Sequence, residues 1–337
     1  MHQIYRIHDT EYINNQYKEY ETESTFPEFQ NKLEEFKNIL KKFVNEKQTN
    51  VFYKFGDGDY HFLTKSKIGS AKPGNRAIKK PYIFINHKEF VRNAHLNDFY
   101  MCELITQNQN NFQSFFKKDM DYPAEYVYGL IANKWLLKNF SGKIGLIGAE
   151  PKLELIQLLL NKEEYKNYLG IDSFNDYISI PQKFAVDNLS RVKKDLKTQL
   201  NNSTAEIYFL GVGHVKSALF SELKKYKKAV YLDIGTGIDA LAGIIDKNRP
   251  YFGLWKNYKL KDSFDYSKID YLSHKKIIQD KIIWLQFMQT LKILIVGLSK
   301  HSRLRILPAV RKFKNVEINI LSKHFKTNKF QDIEVVR

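Results

Sequence analysis

The sequence predicts an α/β protein in which a mostly parallel sheet is flanked by helices. A strand, a glycine turn and a helix follow one another at 143–160 and again at 206–226, and a further strand follows at 229–234. Strands that alternate with helices pair in parallel through right-handed crossovers. The glycine turns at successive carboxyl ends should then meet in one crevice. We therefore predict a doubly wound, Rossmann-like sheet.

An early strand leads directly into a pair of aspartates. Val51–Phe55 is rich in β-branched and aromatic residues, which is typical of a buried strand. Gly56 and Gly58 then allow sharp backbone turns and the close approach of a ligand. Asp57 and Asp59 should lie in a loop beyond the strand's carboxyl end, where open α/β sheets bind ligands. Two carboxylates one residue apart indicate a divalent metal site, although Asp and Gly also form ordinary turns.

The chain before this strand predicts an arm and one amphipathic helix. Residues 1–24 are polar and aromatic with no clear period, so we expect an arm that lies on the fold. Thr25 and Glu28 have the spacing of a capping box, with Pro27 in the first helical turn. Five apolar residues then recur at helical spacing: Phe29, Leu33, Phe36, Leu40 and Phe43. We expect this face to pack on the sheet.

A basic loop follows the aspartates. Residues 67–76 contain two glycines and a proline, which mark a loop. Lys67, Lys72 and Arg76 have the charge to clamp a phosphate there, and Arg76 can make bidentate contacts. A solvated surface loop without a ligand is the alternative, and the sequence does not separate the two.

The end of the chain predicts a small βαβ-like appendage. Strands at 292–298 and 316–321 flank a basic loop at 299–305 and a helix that ends near Phe313. We assign 1–289 to the main domain and 290–337 to the appendage. The basic loop precedes a helix, so it is either an anion site for a charged acceptor or a solvated turn.

Composition limits the classes of function. Apolar residues make up 43% of the chain, and 54 Lys and Arg against 37 Asp and Glu leave a net charge of +17. Such a charge favours a phosphorylated substrate, a polyanion or an anionic membrane surface. The basic residues form no stripe and no RNP-like or helix-turn-helix pattern, which disfavours nucleic acid as the partner.

Cysteine use and hydropathy predict the compartment. Cys102 is the single cysteine, so an intramolecular disulfide is excluded and a reducing compartment is favoured. The first residues do not resemble a signal peptide, and no apolar run is long enough to span a membrane. We expect a cytoplasmic protein, with peripheral contact at the inner face of the membrane as an option.

Three runs of residues resemble the GT-D-type glycosyltransferases. Lys54–Asp59 (Lys-Phe-Gly-Asp-Gly-Asp) is similar to that family's Arg-Phe-Gly-Asp-Gly-Glu element, which follows an early strand. The runs 209–214 (Phe-Leu-Gly-Val-Gly-His) and 231–235 (Tyr-Leu-Asp-Ile-Gly) resemble its second half. The resemblance spans residues 50–260. Lys54 stands where the family usually has Arg, and Asp59 stands where it usually has Glu.

The resemblance implies transfer of a sugar from a nucleotide-diphosphate donor to a glycan, glycolipid or glycoprotein acceptor. Asp57 and Asp59 would hold Mn²⁺ or Mg²⁺, which neutralises the charge of the leaving diphosphate. Donor binding would involve six further residues: Lys54, Gly56, Gly58, Arg76, Gly211 and Gly213. His214 would orient the donor and Asp239 would deprotonate the acceptor, although both also suit structural roles at helix starts.

The main alternative is a methyltransferase. Residues 232–237 (Leu-Asp-Ile-Gly-Thr-Gly) resemble the turn with which such enzymes bind S-adenosylmethionine, so Asp233, Gly235 and Gly237 would contact that cofactor. In those enzymes an acidic residue at the end of the next strand binds the ribose, and no such strand follows here. The turn also lies late in the chain and leaves Gly56–Asp59 unexplained. The methyltransferase therefore ranks second.

Overall fold

The computed structural model describes residues 29–66, 85–104, 106–182 and 185–244, three aromatic residues beyond them, and four strands near the end of the chain. The chain divides into two compact units, Met1–Ile277 and Ile278–Arg337. The predicted N-terminal arm, the basic loop with Arg76 and the basic loop at 299–305 lie outside the described residues. The predicted boundary at 290 adjoins another such stretch and stays a prediction.

Seven parallel strands form the sheet of the first unit. Their order across the sheet is β3-β2-β1-β7-β6-β4-β5. Parallel pairing is the predicted arrangement, and it is confirmed for every pair in this sheet. The strands are β1 Asn50–Phe55, β2 Phe99–Cys102, β3 Tyr122–Pro123, β4 Ile144–Ala149, β5 Asp176–Ile180, β6 Ile207–Gly211 and β7 Val230–Asp233.

Eleven α-helices connect these strands within the described ranges of the first unit. They are α1 Phe29–Asn45, α2 Asp57–Thr64, α3 His87–Ala94, α4 Thr106–Phe116, α5 Ala124–Ala132, α6 Trp135–Asn139, α7 Glu150–Leu160, α8 Glu163–Leu169, α9 Leu189–Asn201, α10 Lys216–Tyr226 and α11 Gly237–Leu241. Among the described residues, no helix is both long and apolar enough to cross a membrane.

The alternating side chains of β1 bury apolar surface on both faces of the sheet. On one face, Tyr53 lies 5.8 Å from Phe220 of α10, measured between ring centroids. On the other face, Phe52 lies 5.6 Å from Phe36 of α1. Leu33, Phe36 and Leu40 are fully buried, which confirms the predicted apolar face of that helix. β1 is therefore a central strand covered on both sides, which fixes the position of the residues that follow it.

The predicted loop after β1 is instead the start of α2. Gly56 is the N-cap residue with extended backbone angles, φ −137° and ψ 177°. Its amide donates to Asp59 Oδ2 over 2.9 Å. The carboxylate of the third helical residue therefore satisfies a backbone donor at the cap, which is half of a capping box. The first aspartate begins the helix and the second one holds its start in place.

The second unit contains a separate four-stranded sheet. Its order is β10-β11-β9-β8, and β8 and β9 are parallel, as a βαβ-like unit requires. Its strands are β8 Leu291–Val296, β9 Val316–Leu321, β10 Lys329–Phe330 and β11 Ile333–Val336. The sequence did not predict the last two strands, and the predicted helix between the first two lies outside the described residues.

Candidate active site at the carboxyl edge of the sheet

The predicted site residues lie at the carboxyl ends of three neighbouring strands. Asp57 and Asp59 follow β1, Gly235 follows β7, and Gly211 ends β6. These strands are adjacent in the sheet, with β7 in the middle. The topology therefore brings together two motifs that lie more than a hundred residues apart in the sequence, at the edge where α/β sheets bind ligands.

A buried lysine joins two carboxylates at this edge. Lys216 Nζ lies 2.9 Å from Asp59 Oδ2 and 2.9 Å from Asp233 Oδ2. These residues are only 6%, 6% and 1% exposed for Lys216, Asp59 and Asp233 respectively. Burial by itself would lower the pKa of Lys216, but Asp233 and then Asp59 outweigh it, so the pKa is raised. The lysine is a permanent cation between two carboxylates.

All three donors of this ammonium group have acceptors. The third acceptor is the carbonyl oxygen of Lys54 in β1. Asp233 is similarly engaged, because its Oδ2 also accepts the amide of Lys54 at 3.2 Å and its Oδ1 accepts the amide of Gly235 at 3.0 Å. Lys216 and Asp233 therefore connect β1, β7 and α10, and each polar atom of the two side chains has a partner within the protein.

Asp57 is the exposed member of the aspartate pair. It is the first residue of α2, and its Oδ1 accepts the amide of Gly58 at 2.7 Å. Within the described residues, no three His, Cys, Asp or Glu side chains are grouped so as to hold a metal ion. Mg²⁺ and similar cations often bind through one or two carboxylates together with substrate phosphates and water. Asp57 therefore fits a cation that a diphosphate brings with it.

His214 lies against the start of α2. Its ring stacks on Phe62, with centroids 5.2 Å apart and planes 18° apart. A methyl group at Gly58 would lie 3.0 Å from His214 Cε1, so this glycine makes room for the imidazole. Burial lowers the pKa of His214 and outweighs the opposing charge of Asp59. The half-buried imidazole is therefore neutral at pH 7 and can both donate and accept a hydrogen bond.

The two glycines of the β6 turn have different roles. Gly213 is exposed, has φ +63° and has no atom within 4 Å of the position of an added Cβ. Gly211 is enclosed, because an added Cβ would lie 2.3 Å from Ile238 Cγ2 and 2.9 Å from the carbonyl oxygen of Gly235. Gly211 therefore allows α11 to pack on β6. Gly213 leaves the backbone open at the carboxyl end of β6.

Asp239 does not face solvent. It is the third residue of α11, is 5% exposed and forms an ion pair with Lys152 of α7. This pair holds α7 and α11 together at the carboxyl ends of β4 and β7. A general base must be within reach of the acceptor's proton, and the buried ion pair gives Asp239 no such access. Its position supports a structural role.

Lys54 points to the opposite face of β1 from Tyr53. Its side chain is buried, its Nζ lies 5.4 Å from the centre of the Tyr128 ring, and its Cε lies beside Gly235. An added Cβ at Gly235 would be 2.6 Å from that Cε. Lys54 therefore packs under the turn after β7, and this glycine leaves room for it.

Two buried glutamates near Lys54 were not predicted from the sequence as residues of the site. Glu103 follows β2 and accepts from Tyr128 Oη at 2.9 Å and from Asn108 at 2.8 Å. Glu125 follows β3, is fully buried and accepts the amide of Leu104 at 2.8 Å. Burial, reinforced by Glu103, raises the pKa of Glu125 to about 8, so it is largely protonated at pH 7.

The chain matches no protein-family model and no curated protein sequence. A solved structure described as a new glycosyltransferase, domain of unknown function 1792, from Streptococcus sanguinis aligns with 74% of this chain and 95% of its own. The identity is 13% and the TM-score is 0.42. Another structure, described as that domain with a distinct glycosyltransferase fold, covers 73% of this chain and 90% of its own at 12% identity and a TM-score of 0.41.

Both of these structures are described as glycosyltransferases, the class of enzyme that the motifs at 54–59 and 209–235 resemble. Identities and TM-scores this low do not assign a function to the chain. A functional assignment therefore rests on the geometry of the site and on the motif resemblance.

Proposed function

We propose that this protein is a metal-dependent glycosyltransferase that moves a sugar from a nucleotide-diphosphate donor to a glycan, glycolipid or glycoprotein acceptor. The observation that carries the proposal is the convergence of Asp57, His214 and Gly213 at the carboxyl ends of β1 and β6. It places an exposed carboxylate, a neutral imidazole and open backbone in one region of the sheet edge. The motif resemblance gives the reaction its class.

The leaving group of such a reaction is a nucleoside diphosphate, whose developing charge must be stabilised. Mn²⁺ or Mg²⁺, when bound, supplies that stabilisation. Asp57 would hold the cation at the start of α2, and the positive end of the helix dipole there would favour the phosphates. His214 would donate or accept one hydrogen bond to a phosphate or a sugar hydroxyl. The open turn at Gly213 would let the donor approach the backbone.

The first prediction concerns the donor. Nucleotide sugars should raise the unfolding temperature of the protein in the presence of Mn²⁺, and should raise it much less with EDTA, because ligands that bind only the folded state stabilise it. A thermal-shift screen of nucleotide sugars with and without Mn²⁺ measures this. The proposal is wrong if no nucleotide sugar stabilises the protein with or without Mn²⁺ while S-adenosylmethionine does.

The second prediction concerns the turn after β6. Gly213→Val should weaken donor affinity at least tenfold, since it places a branched side chain on the open backbone and strains a positive φ. Gly142→Val is the matched control. Gly142 has φ +74°, also has no atom within 4 Å of an added Cβ, and lies at the opposite end of the sheet, before β4.

Both valine variants should lose on the order of 1–2 kcal/mol of stability because of the left-handed backbone. Only Gly213→Val should also lose donor affinity, measured by calorimetric titration below the unfolding temperature. Equal donor affinities in the two variants would place the nucleotide away from this turn.

The methyltransferase alternative loses support from the packing of its turn. Both carboxylate oxygens of Asp233 already have partners in Lys216 and backbone amides. The Cβ positions of Gly235 and Gly237 are occupied by protein side chains, Lys54 at the first and Ile131 at 2.8 Å from the second. These glycines serve internal packing, so they do not open the backbone to a cofactor.

A further inference from the structure

The two aspartates of the predicted metal pair occupy different environments. Asp57 is exposed, whereas Asp59 is 6% exposed. A single oxygen of Asp59, Oδ2, accepts the Gly56 amide at 2.9 Å and lies 2.9 Å from Lys216 Nζ. The Asp57 side chain contacts only the amide beside it among the hydrogen bonds of the described residues. One carboxylate faces outward and the other is part of the fold.

The partners of Asp59 determine what it can offer to a cation. Its charge is already balanced by a buried ammonium group, and a cation close to that ammonium would be repelled by it. Moving Asp59 Oδ2 to a metal would deprive Lys216 of one of its three acceptors and would leave the Gly56 amide without a partner. Buried charges that lose a partner are strongly destabilising.

Building on the proposed function, we infer that Asp57 is the carboxylate that contacts the divalent cation, and that Asp59 and Lys216 are positioning residues. Lys216 anchors Asp59 to Asp233 at the end of β7, and Asp59 caps α2 through Gly56. The first turn of α2 is thereby fixed on the central strands before any ligand arrives. Such preorganisation keeps Asp57 in place for the ligand.

His214 also packs against this turn. Its ring lies over Gly58, where a side chain would leave only 3.0 Å to Cε1. The capping contact of Asp59 therefore holds Gly56, the imidazole packs at Gly58, and Asp57 is the residue between these two in the sequence. The negative charge of Asp59 matters in this arrangement because it satisfies Lys216 and Gly56, whether or not a metal is present.

Three variants, Asp57→Asn, Asp59→Asn and Asp59→Glu, are compared with the wild type to separate metal binding from positioning of the α2 turn. Binding of Mn²⁺ together with UDP or GDP is followed by electron paramagnetic resonance of free Mn²⁺. Backbone hydrogen exchange of segment 50–63 and urea unfolding are measured without metal. We expect Asp57→Asn to lose at least tenfold in Mn²⁺ affinity, with the exchange protection and urea midpoint of the wild type.

Asp59→Asn should show the opposite pattern. Its urea midpoint and the protection of the Gly56 amide should fall, while its Mn²⁺ affinity, measured on the folded fraction, should fall clearly less than that of Asp57→Asn. Asp59→Glu keeps the charge and should restore most of the protection. The inference is overturned if Asp59→Asn keeps the wild-type midpoint and loses Mn²⁺ binding as completely as Asp57→Asn does.

A measurement on the wild type covers the case in which Asp59→Asn does not fold. Saturating Mn²⁺ and nucleotide should leave the protection of the Gly56 amide unchanged or raise it, because Asp59 stays on its cap. A fall in that protection would show Asp59 moving to the metal and would overturn the inference. If wild type binds no Mn²⁺ with either nucleotide, the metal assignment of Asp57 fails. The unfolding data would still decide the positioning role.

Discussion

Lys216→Met is expected to lower the free energy of unfolding by about 3–5 kcal/mol, the range found when one partner of a buried ion pair is removed. Methionine fills a similar volume, so the loss should come from charge rather than from a cavity. The variant leaves Asp59 and Asp233 buried without their shared cation. It also leaves the carbonyl oxygen of Lys54 without this donor. Urea unfolding at neutral pH measures the effect.

Lys224→Met on the same helix is the matched control. Lys224 Nζ pairs with Asp98 Oδ1 at 2.7 Å, but these side chains are 30% and 28% exposed. Exposed pairs contribute about 0–1 kcal/mol, so the control should be close to wild type. A loss in Lys216→Met no larger than in this control would contradict the assignment of the buried triad.

A double-mutant cycle measures the coupling free energy between Lys216 and Asp233 directly. If the two charges stabilise each other, Asp233→Asn combined with Lys216→Met should cost clearly less than the sum of the single variants. Additive effects would mean that the lysine and the aspartate act independently, in spite of the 2.9 Å between Nζ and Oδ2.

The parallel sheet could be predicted because its signals are local. Runs such as 206–211 combine β-branched and aromatic residues and end in glycine, and each is followed by a helix. Alternation of this kind leaves few topologies open. The position of Asp57 and Asp59 at the carboxyl end of a buried strand followed from the same reasoning, and the structure places them there.

The role of Lys216 could not be predicted, since it depends on contacts that are distant in sequence. Its acceptor at Lys54 lies 162 residues away. In a helix that also contains Lys224 and Lys225, a lysine is usually interpreted as part of a solvated face. Only the adjacency of β1 and β7 shows that this lysine fills the space between two carboxylates.

Glycines were similarly ambiguous. Gly211 and Gly213 belong to one Gly-Val-Gly turn. Gly211 makes room for Ile238, whereas Gly213 provides a positive φ. Glycine serves both purposes because it lacks a Cβ, so its neighbours decide between them. Sequence alone therefore predicts that a turn occurs there, but it does not show which of its glycines faces a ligand.

Glu125→Gln is expected to change how stability depends on pH. A carboxyl group of this kind ordinarily has a pKa of 4.5, and burial, reinforced by Glu103, raises that of Glu125 to about 8 in the folded protein. Between these values the folded state keeps a proton that the unfolded state has lost. The stabilising proton is therefore present at low pH, and its contribution disappears as the pH rises towards 8.

The wild type should accordingly lose about 1.4 kcal/mol per pH unit relative to Glu125→Gln across that window. Glutamine imitates the protonated acid: its carbonyl oxygen can still accept the Leu104 amide, which Glu125 Oε1 binds at 2.8 Å. The charged groups that act on Glu125 are Glu103, which favours protonation, and Lys54, which opposes it. The variant should therefore become the more stable protein as the pH increases.

Urea unfolding of the wild type and the variant at roughly pH 5.5, 6.5 and 7.5 tests this expectation, which amounts to about 3 kcal/mol between the extremes. Glu154→Gln, which changes an exposed glutamate of α7, shows whether the loss of any carboxylate has the same effect. A constant difference between wild type and Glu125→Gln at all three values would mean that Glu125 is ionised in the folded protein. Lys54 would then be its counter-ion, and the buried cluster beside the site would be an ion pair rather than a neutral acid.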